Sequence, residues 1–365
     1  MTPFLAFLLA QTGPKTIELS DTSAQVAVQI HMTTTEDDPA LPVFGKLVEG
    51  QSGVRVVVLP GMARIEALCA KDQAADTVAG LCNALSPVID ETSSEAALKV
   101  ARIELASYVV QARWGGNPIG DGDPDQLLST TWRHATAPGS FFVVGQGDFG
   151  RDGLRGMTSA LPWPGNRRPP VEASRSLQKP VFPEGVEAVQ WRGPAVKPGS
   201  IEWTETLVAL CALGCGPGGT LQTVCRKENP WSYDQDAVLW PTKSGPLPVV
   251  TVFRKSGSDL QPAQIQAALV KSIDGLTEAD LARAVHMAKI ALAGDSRWSP
   301  LLMEPDRAYQ ATISDKVAWR GFAEIWTSST SLPSKFVQPC EQVTLARLKD
   351  TCRNLLADSR RTVLD

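Results

Sequence analysis

An α+β fold made of two similar domains is what this sequence predicts, and three observations predict it. The two halves of the chain repeat one coarse order, an apolar-alternating strand followed by mixed helices and strands. A proline-dense stretch, Pro162-Trp163-Pro164 to Pro169-Pro170 and on to Gly185, separates them; proline neither continues a helix nor fills a central strand. The 365 residues give each half the size of an ordinary domain. The expected division is a candidate short signal segment at 1–15, an N-terminal domain at 16–162, a linker at 163–185 and a C-terminal domain at 186–365.

In the first half, Gln25–Met32 alternates as a half-buried strand does. A short helix is expected from about Asp38 to Glu49. Strands Val54–Leu59 and Ala63–Cys69 follow, joined by Pro60-Gly61, a turn dipeptide. Helices are expected over 72–86 and 93–112, then a strand over Ser140–Val144 and a helix near 150–161. The second half opens with a strand over Val186–Trp191. Helices are expected over 201–213 and 218–228, and strands over Trp231–Trp240 and Pro248–Phe253. In helix 261–273, Ile265, Leu269 and Ile273 fall at helical spacing, and Thr277 with Asp280 resembles a capping box for the next helix. A helix near 341–357 and a short strand, Arg361–Leu364, close the chain.

Composition narrows the function. The net charge is −4 with no long basic run, which argues against sequence-independent binding to nucleic acid or anionic membrane. No apolar stretch approaches the ~18 residues that span a bilayer. Pro3–Ala10 is apolar and resembles a very short signal peptide without a basic flank; the alternative is a buried N-terminal strand. A periplasmic or extracellular location follows from the first reading and a cytoplasmic one from the second. The seven cysteines lack metal-knuckle spacing. Cys340 and Cys352 are close enough in sequence for a bridge in an exported chain. A cysteine enzyme built on Cys211 or Cys215 has no local signature behind it.

The most informative stretch runs from Gly214-Cys215-Gly216-Pro217-Gly218-Gly219 to Arg226 and Tyr233. The glycines allow a tight turn or the close approach of another chain. A short helical segment with an Arg near its end follows, where a cation suits the helix dipole. Tyr233 then starts the next expected strand. An Arg and a Tyr side by side at a cleft edge can grip a peptide carbonyl or carboxylate. This stretch resembles the second domain of the pitrilysin/insulinase zinc metallopeptidases, the group that includes mitochondrial processing peptidase. Arg226 and Tyr233 keep the family spacing, while Pro230-Trp231-Ser232 replaces the usual Gly-Leu-Ala. Ser140 to Asp148, with the helix to Leu161-Pro162 after it, resembles the close of the family's first domain.

Gly145-Gln146-Gly147-Asp148-Phe149-Gly150 is also a GxGxxG. A dinucleotide fingerprint needs a further parallel strand and an acidic residue about 20 residues on. Here the helix runs into the proline stretch instead, and Asp148 is expected to cap that helix.

The resemblance implies where an active relative would hold zinc: an H-x-x-E-H helix after the opening strand, with two histidines as ligands and the Glu as general base. In this chain Lys46 stands at the first histidine, Glu49 at the base and Gly50 at the second histidine. A protonated Lys offers no lone pair and Gly no side chain. The only histidines are His31, His134 and His286, none with a partner four residues away. No catalytic residue, metal or other cofactor is therefore expected. Glu104 lies where the family carries its third ligand, with nothing to join.

The resemblance further implies two similar α/β sandwich domains, antiparallel-rich sheets with helices on one side, forming half of a clamshell around an unfolded peptide. It implies a non-catalytic subunit in which Arg226 and Tyr233 hold the substrate backbone near a partner's zinc, with Gly214, Gly216, Gly218 and Gly219 lining the entrance. The expected partners are an unfolded peptide and either a second metallopeptidase-like subunit carrying the zinc motif or a second copy of this chain. The alternative is an inactive peptidase-like binding or assembly module that takes part in no proteolysis.

Overall fold

The computed structural model of the protein describes residues 13–35, 38–120, 123–164, 179–214, 218–292, 313–327 and 337–365. The apolar segment 3–10 and positions 165–178 of the proline-rich stretch lie outside the described residues. The chain is a mixed α/β structure with two sheets, and it divides into two compact units. The first comprises Met1–Val100 and Asp121–Ser174, the second Ala101–Gly120 and Arg175–Asp365. The second unit thus takes Ala101–Gly120 from within the span read as the N-terminal domain.

In chain order the first unit holds β1 (Lys15–Ser20), β2 (Gln25–Thr33), α1 (Leu41–Ser52), β3 (Arg55–Leu59), β4 (Met62–Ala70), α2 (Ala74–Ala84) and the start of α3 (Glu91–Glu104). After α4 (Tyr108–Trp114), which groups with the second unit, come α5 (Pro124–Ala135), β5 (Phe141–Gly147) and α6 (Gly153–Ser159). The five strands lie in the order β1-β5-β2-β4-β3, antiparallel except for the β1–β5 pair. Register fixes the faces, because side chains alternate along a strand. Val26, Val28, Ile30 and Met32 are all fully buried on one face of β2. Ile30 pairs with Ile65, and Ile65 with Val56, so α1 lies over an aliphatic layer. A Cβ on Gly45 would come within 2.5 Å of Val58, so only a glycine lets α1 approach β3 this closely. The opposite face carries polar groups. Gln29 aligns with Glu66 and Arg55, and His31 with Arg64 and Phe142.

The second unit holds α4, β6 (Val186–Arg192), α7 (Ile201–Gly214), α8 (Thr220–Gln222), β7 (Gln235–Trp240), β8 (Leu247–Lys255), α9 (Pro262–Asp274), α10 (Glu278–Leu292), α11 (Ile313–Thr327), α12 (Val337–Cys340), α13 (Leu345–Leu355) and β9 (Arg361–Leu364). Its sheet is antiparallel, in the order β7-β8-β6-β9. Helix α7 is apolar on nearly every side, which is the pattern of a core helix, and packs against α10, α13 and β7. Its last residue, Gly214, brings the helix end onto β7: a Cβ there would sit 2.4 Å from Ala237.

The other face of this sheet receives α4. Arg113 holds Asp236 with two nitrogens, at 2.6 and 3.2 Å, and lies 5.7 Å from the Trp240 ring. Gln190 donates to the Ala112 carbonyl at 2.7 Å. Arg192 donates to the carbonyls of Arg113 and Trp114, placing a cation at the carboxyl end of the helix. Tyr108 packs edge-on against Phe253 and donates its hydroxyl to Asp234, which with burial pushes its own pKa up to about 12.

Several elements differ from expectation. The helix expected over 93–112 is two helices, α3 and α4. Ser107 is extended, and the Gln111 side chain takes the Leu105 carbonyl left at the break. Strand β7 starts at Gln235 rather than Trp231, so Tyr233 precedes the strand. Strand β1 and helices α5 and α11 were not foreseen. For α5 the signal was present: Asp123 accepts from the backbone of Asp125 and Gln126, with Pro124 at the first turn. Among the described residues, strand β1 lies at the sheet edge and pairs with a parallel strand far along the chain, so no turn announces it.

Candidate functional site

The positions aligned with a zinc helix all lie on α1. Lys46 and Glu49 are one turn apart and form an ion pair at 2.5 Å. Glu49 also accepts from the Val56 backbone N–H of β3 at 3.4 Å, so its carboxylate is directed to a cation and a strand within its own unit. Gly50 is exposed at the solvent side of the helix, with nothing within 4 Å of a Cβ placed there. These residues do not fit a zinc ion: an ammonium stands where the first imidazole would be, and the second ligand position has no side chain. Among the described residues no three His, Cys, Asp or Glu side chains are placed to hold a metal.

The histidines stand on separate elements. His31 on β2 is buried, stacks on Phe142 with ring centroids 5.3 Å apart, and hydrogen-bonds Gln29 at 3.1 Å. Burial, reinforced by the Arg64 charge, holds its pKa well below the ordinary 6.5. His134 is on α5, and His286 is exposed on α10. Glu104 is exposed in the last turn of α3.

The GxGxxG segment is accounted for by packing. A Cβ on Gly145 would meet Phe149 at 2.5 Å and Leu154 at 2.7 Å. At the start of α6, where a dinucleotide would place its phosphates, the Glu18 carboxylate accepts from the Leu154 backbone at 2.8 Å. The protein's own anion fills that position. Asp148 does not cap α6; it accepts from Gly150 in the preceding turn and pairs with Lys71.

In the second unit the glycine-rich run joins α7 to α8. Gly214 serves the approach of α7 to β7. Gly216 and Cys215 lie outside the described residues. Gly218 is exposed beside Arg283, whose guanidinium lies 2.7 Å from where a Cβ would be. Gly219 is buried at the start of α8. The helical segment expected here is present, but beyond Gln222 it widens into a π-helical turn, Thr223–Glu228, a form that recurs at functional positions.

Arg226 projects from that turn into solvent. The chain folds back after Glu228, and the Arg226 guanidinium lies 5.6 Å from the centre of the Tyr233 ring. Tyr233 is 76% exposed, unusual for an aromatic side chain. The structure therefore brings the two residues together as an open cation–π pair. An arginine held this way keeps planar N–H donors free for an incoming oxygen, with the phenol hydroxyl beside them. Sequence reasoning missed two residues here, Arg283 and Asn229. The Asn229-Pro230 dipeptide was the available signal, since it favours a turn.

Cys69, Cys82, Cys225 and Cys352 are free thiols. The bridge that the sequence spacing of Cys340 and Cys352 would allow in an exported chain does not form, and both side chains are buried. Burial pushes Cys82 and Cys340 up to about 11 and Cys225 and Cys352 up to about 12, the opposite of what a nucleophilic thiol needs. Among the described residues, no helix is long and apolar enough to cross a membrane.

No family model and no curated protein matches the sequence. Solved structures do match the fold. A peptidase M16 inactive domain from Pseudomonas fluorescens superposes with a TM-score of 0.68 at 14% identity, covering 97% of this chain and 95% of that one. A protease from Helicobacter pylori gives 0.70 at 11% identity, covering 97% and 96%. A chain of complex III2 from Candida albicans gives 0.68 at 12%, covering 96% and 92%. At these identities the likeness is one of fold.

Proposed function

We propose that this chain is a non-catalytic, substrate-binding subunit of a two-subunit peptidase of the pitrilysin/insulinase (M16) type. The observation that carries the reading is the Arg226–Tyr233 pair, solvent-open and held in contact. The guanidinium donates to a peptide carbonyl or carboxylate, and the Tyr233 hydroxyl donates to a neighbouring oxygen. The likeness in fold to a peptidase M16 inactive domain supports the absence of chemistry on this chain. So does the Lys46–Glu49 ion pair at the degenerate helix positions, which consumes the carboxylate a general base would use. A partner subunit with its own H-x-x-E-H helix supplies the metal and the base.

The test is turnover by the native complex. Arg226→Ala or Tyr233→Phe lowers peptide cleavage and leaves the complex assembled, read by activity and by size-exclusion chromatography. Unchanged turnover in both variants contradicts the reading. A second reading is an assembly module that takes part in no proteolysis; the likeness to a chain of complex III2 favours it. Zinc-dependent cleavage by a purified assembly containing this chain would exclude that reading.

A further inference from the structure

Arg226 and Tyr233 are brought together by the path of the chain between them, and that path hangs on two carbonyls. In a π-helical turn each carbonyl accepts from the N–H five residues on. Val224 O does so from Asn229 N at 3.1 Å. The carbonyl of Cys225 has no such donor, because the fifth residue on is Pro230. It accepts instead from Trp231 N and Ser232 N, both at 3.0 Å, which turns the chain back over the end of the helix. Ser232 then donates its hydroxyl to the Asp234 carbonyl at 2.7 Å, and Gln235 returns a side-chain bond to the Ser232 carbonyl at 2.7 Å. Tyr233 is the residue this loop presents.

Asn229 is the pivot. It leaves the helix in an extended conformation, φ −133 and ψ 122. Its side-chain amide donates to Val224 O at 3.0 Å, the carbonyl already taken by its own backbone N–H. One residue thus closes the last turn twice, once through the backbone and once through the side chain. Without the second bond nothing in the Asn229 side chain opposes rotation about the exit from the turn. Prolyl rigidity at Pro230 would then carry any rotation on to Trp231, Ser232 and Tyr233.

We infer that Asn229 is a positioning residue for the Arg226–Tyr233 pair, fixing the fold-back that lays the tyrosine ring under the guanidinium. The inference rests on the peptide-binding reading of that pair for its functional meaning, but its geometry is tested separately. The chain contains three tyrosines, Tyr108, Tyr233 and Tyr309, so the full-length protein labelled with 3-fluorotyrosine gives a simple fluorine NMR spectrum. Tyr233→Phe assigns the relevant resonance, and Arg226→Gln shows where it moves when the cation is removed. Asn229→Asp is nearly isosteric and exchanges the amide donor for a charged carboxylate; Asn229→Ala removes both size and donor without adding a charge, so a shift common to the two variants reads the lost donor.

In both Asn229 variants the Tyr233 resonance moves toward its Arg226→Gln position, while the other two tyrosines and the melting temperature stay in place. Binding of fluorescein-labelled casein, an unfolded polypeptide, weakens roughly two- to fivefold, the worth of an exposed cation–π contact. A Tyr233 resonance that stays put in both variants overturns the positioning role. A resonance that moves with no change in casein binding, in these variants or in Arg226→Gln, leaves the positioning role standing and removes the peptide-grip reading instead.

Discussion

Strand β2 of the first unit and strand β6 of the second run in parallel as sequences. One reads Val28-Gln29-Ile30-His31 and the other Val189-Gln190-Trp191-Arg192. Both glutamines are buried and both belong to the polar face of their sheet. In the second unit that face has a visible occupant. Gln190 and Arg192 hold the carboxyl end of α4 by its carbonyls, and Asp236 holds Arg113. In the first unit the corresponding cation is replaced by a histidine that burial keeps neutral, stacked on Phe142 and bonded to Gln29. A fixed charge complements a helix end at any ordinary pH, whereas an imidazole does so only in the protonation state its surroundings allow. The matching strand position thus carries a permanent cation in the second unit and a titratable imidazole, beside Arg64, in the first.

The largest effect is expected where the second unit depends on its buried charge pair. Arg113→Met strands Asp236 in a buried site and lowers unfolding stability by about 3–5 kcal/mol, measured by urea denaturation. Adding Asp236→Leu recovers most of that loss, since a buried pair replaced by apolar groups is close to neutral. A double variant no more stable than the single one would show that α4 is held by something other than the pair. A somewhat smaller effect is expected in the first unit. Gly45→Val drives a side chain into Val58 and costs about 1–3 kcal/mol, read the same way.

The comparison is sharpened by pH. The folded state holds His31 neutral, while the unfolded chain takes up a proton near the ordinary 6.5. Below that pH the unfolded state binds the extra proton, so stability falls as pH falls, by up to about 1.4 kcal/mol per unit until the folded pKa is reached. His31→Gln removes that slope. Native-state hydrogen exchange should show protection along β2 weakening through this window, while protection along β6, with Arg192 at the matching position, holds. Equal weakening of both strands would remove the distinction.

These contrasts also explain what the sequence could disclose. The alternation of Gln25–Met32, the Pro60-Gly61 turn and the spacing of Ile265, Leu269 and Ile273 are local signals, and each marks an element where one stands. That the chain contains no H-x-x-E-H pattern is read from the sequence itself, whose three histidines, His31, His134 and His286, stand far apart. The placement of α4 is not. Its apolar residues continue the pattern of α3, and only long-range partners such as Asp236 and Gln190 reveal that it belongs with the second sheet. The Arg226–Tyr233 contact lies between these cases. The spacing was visible, but the fold-back that creates the contact depends on a π-helical turn that no periodicity announces.

The smallest effect on stability is expected at that pair. Arg226→Gln changes unfolding stability by no more than about 0.5 kcal/mol, because both side chains are exposed, yet it weakens polypeptide binding. A large loss of stability would recast the pair as structural.

The most direct test of the central claim is to purify the full chain from its native host, identify the stoichiometric partner by mass, and assay peptide cleavage with and without a zinc chelator. The account predicts a partner of similar size bearing an H-x-x-E-H helix, with chelator-sensitive cleavage that drops when Arg226→Gln replaces the wild-type chain. Recovery of this chain alone, as monomer or homodimer with no cleavage at any chelator concentration, would contradict it.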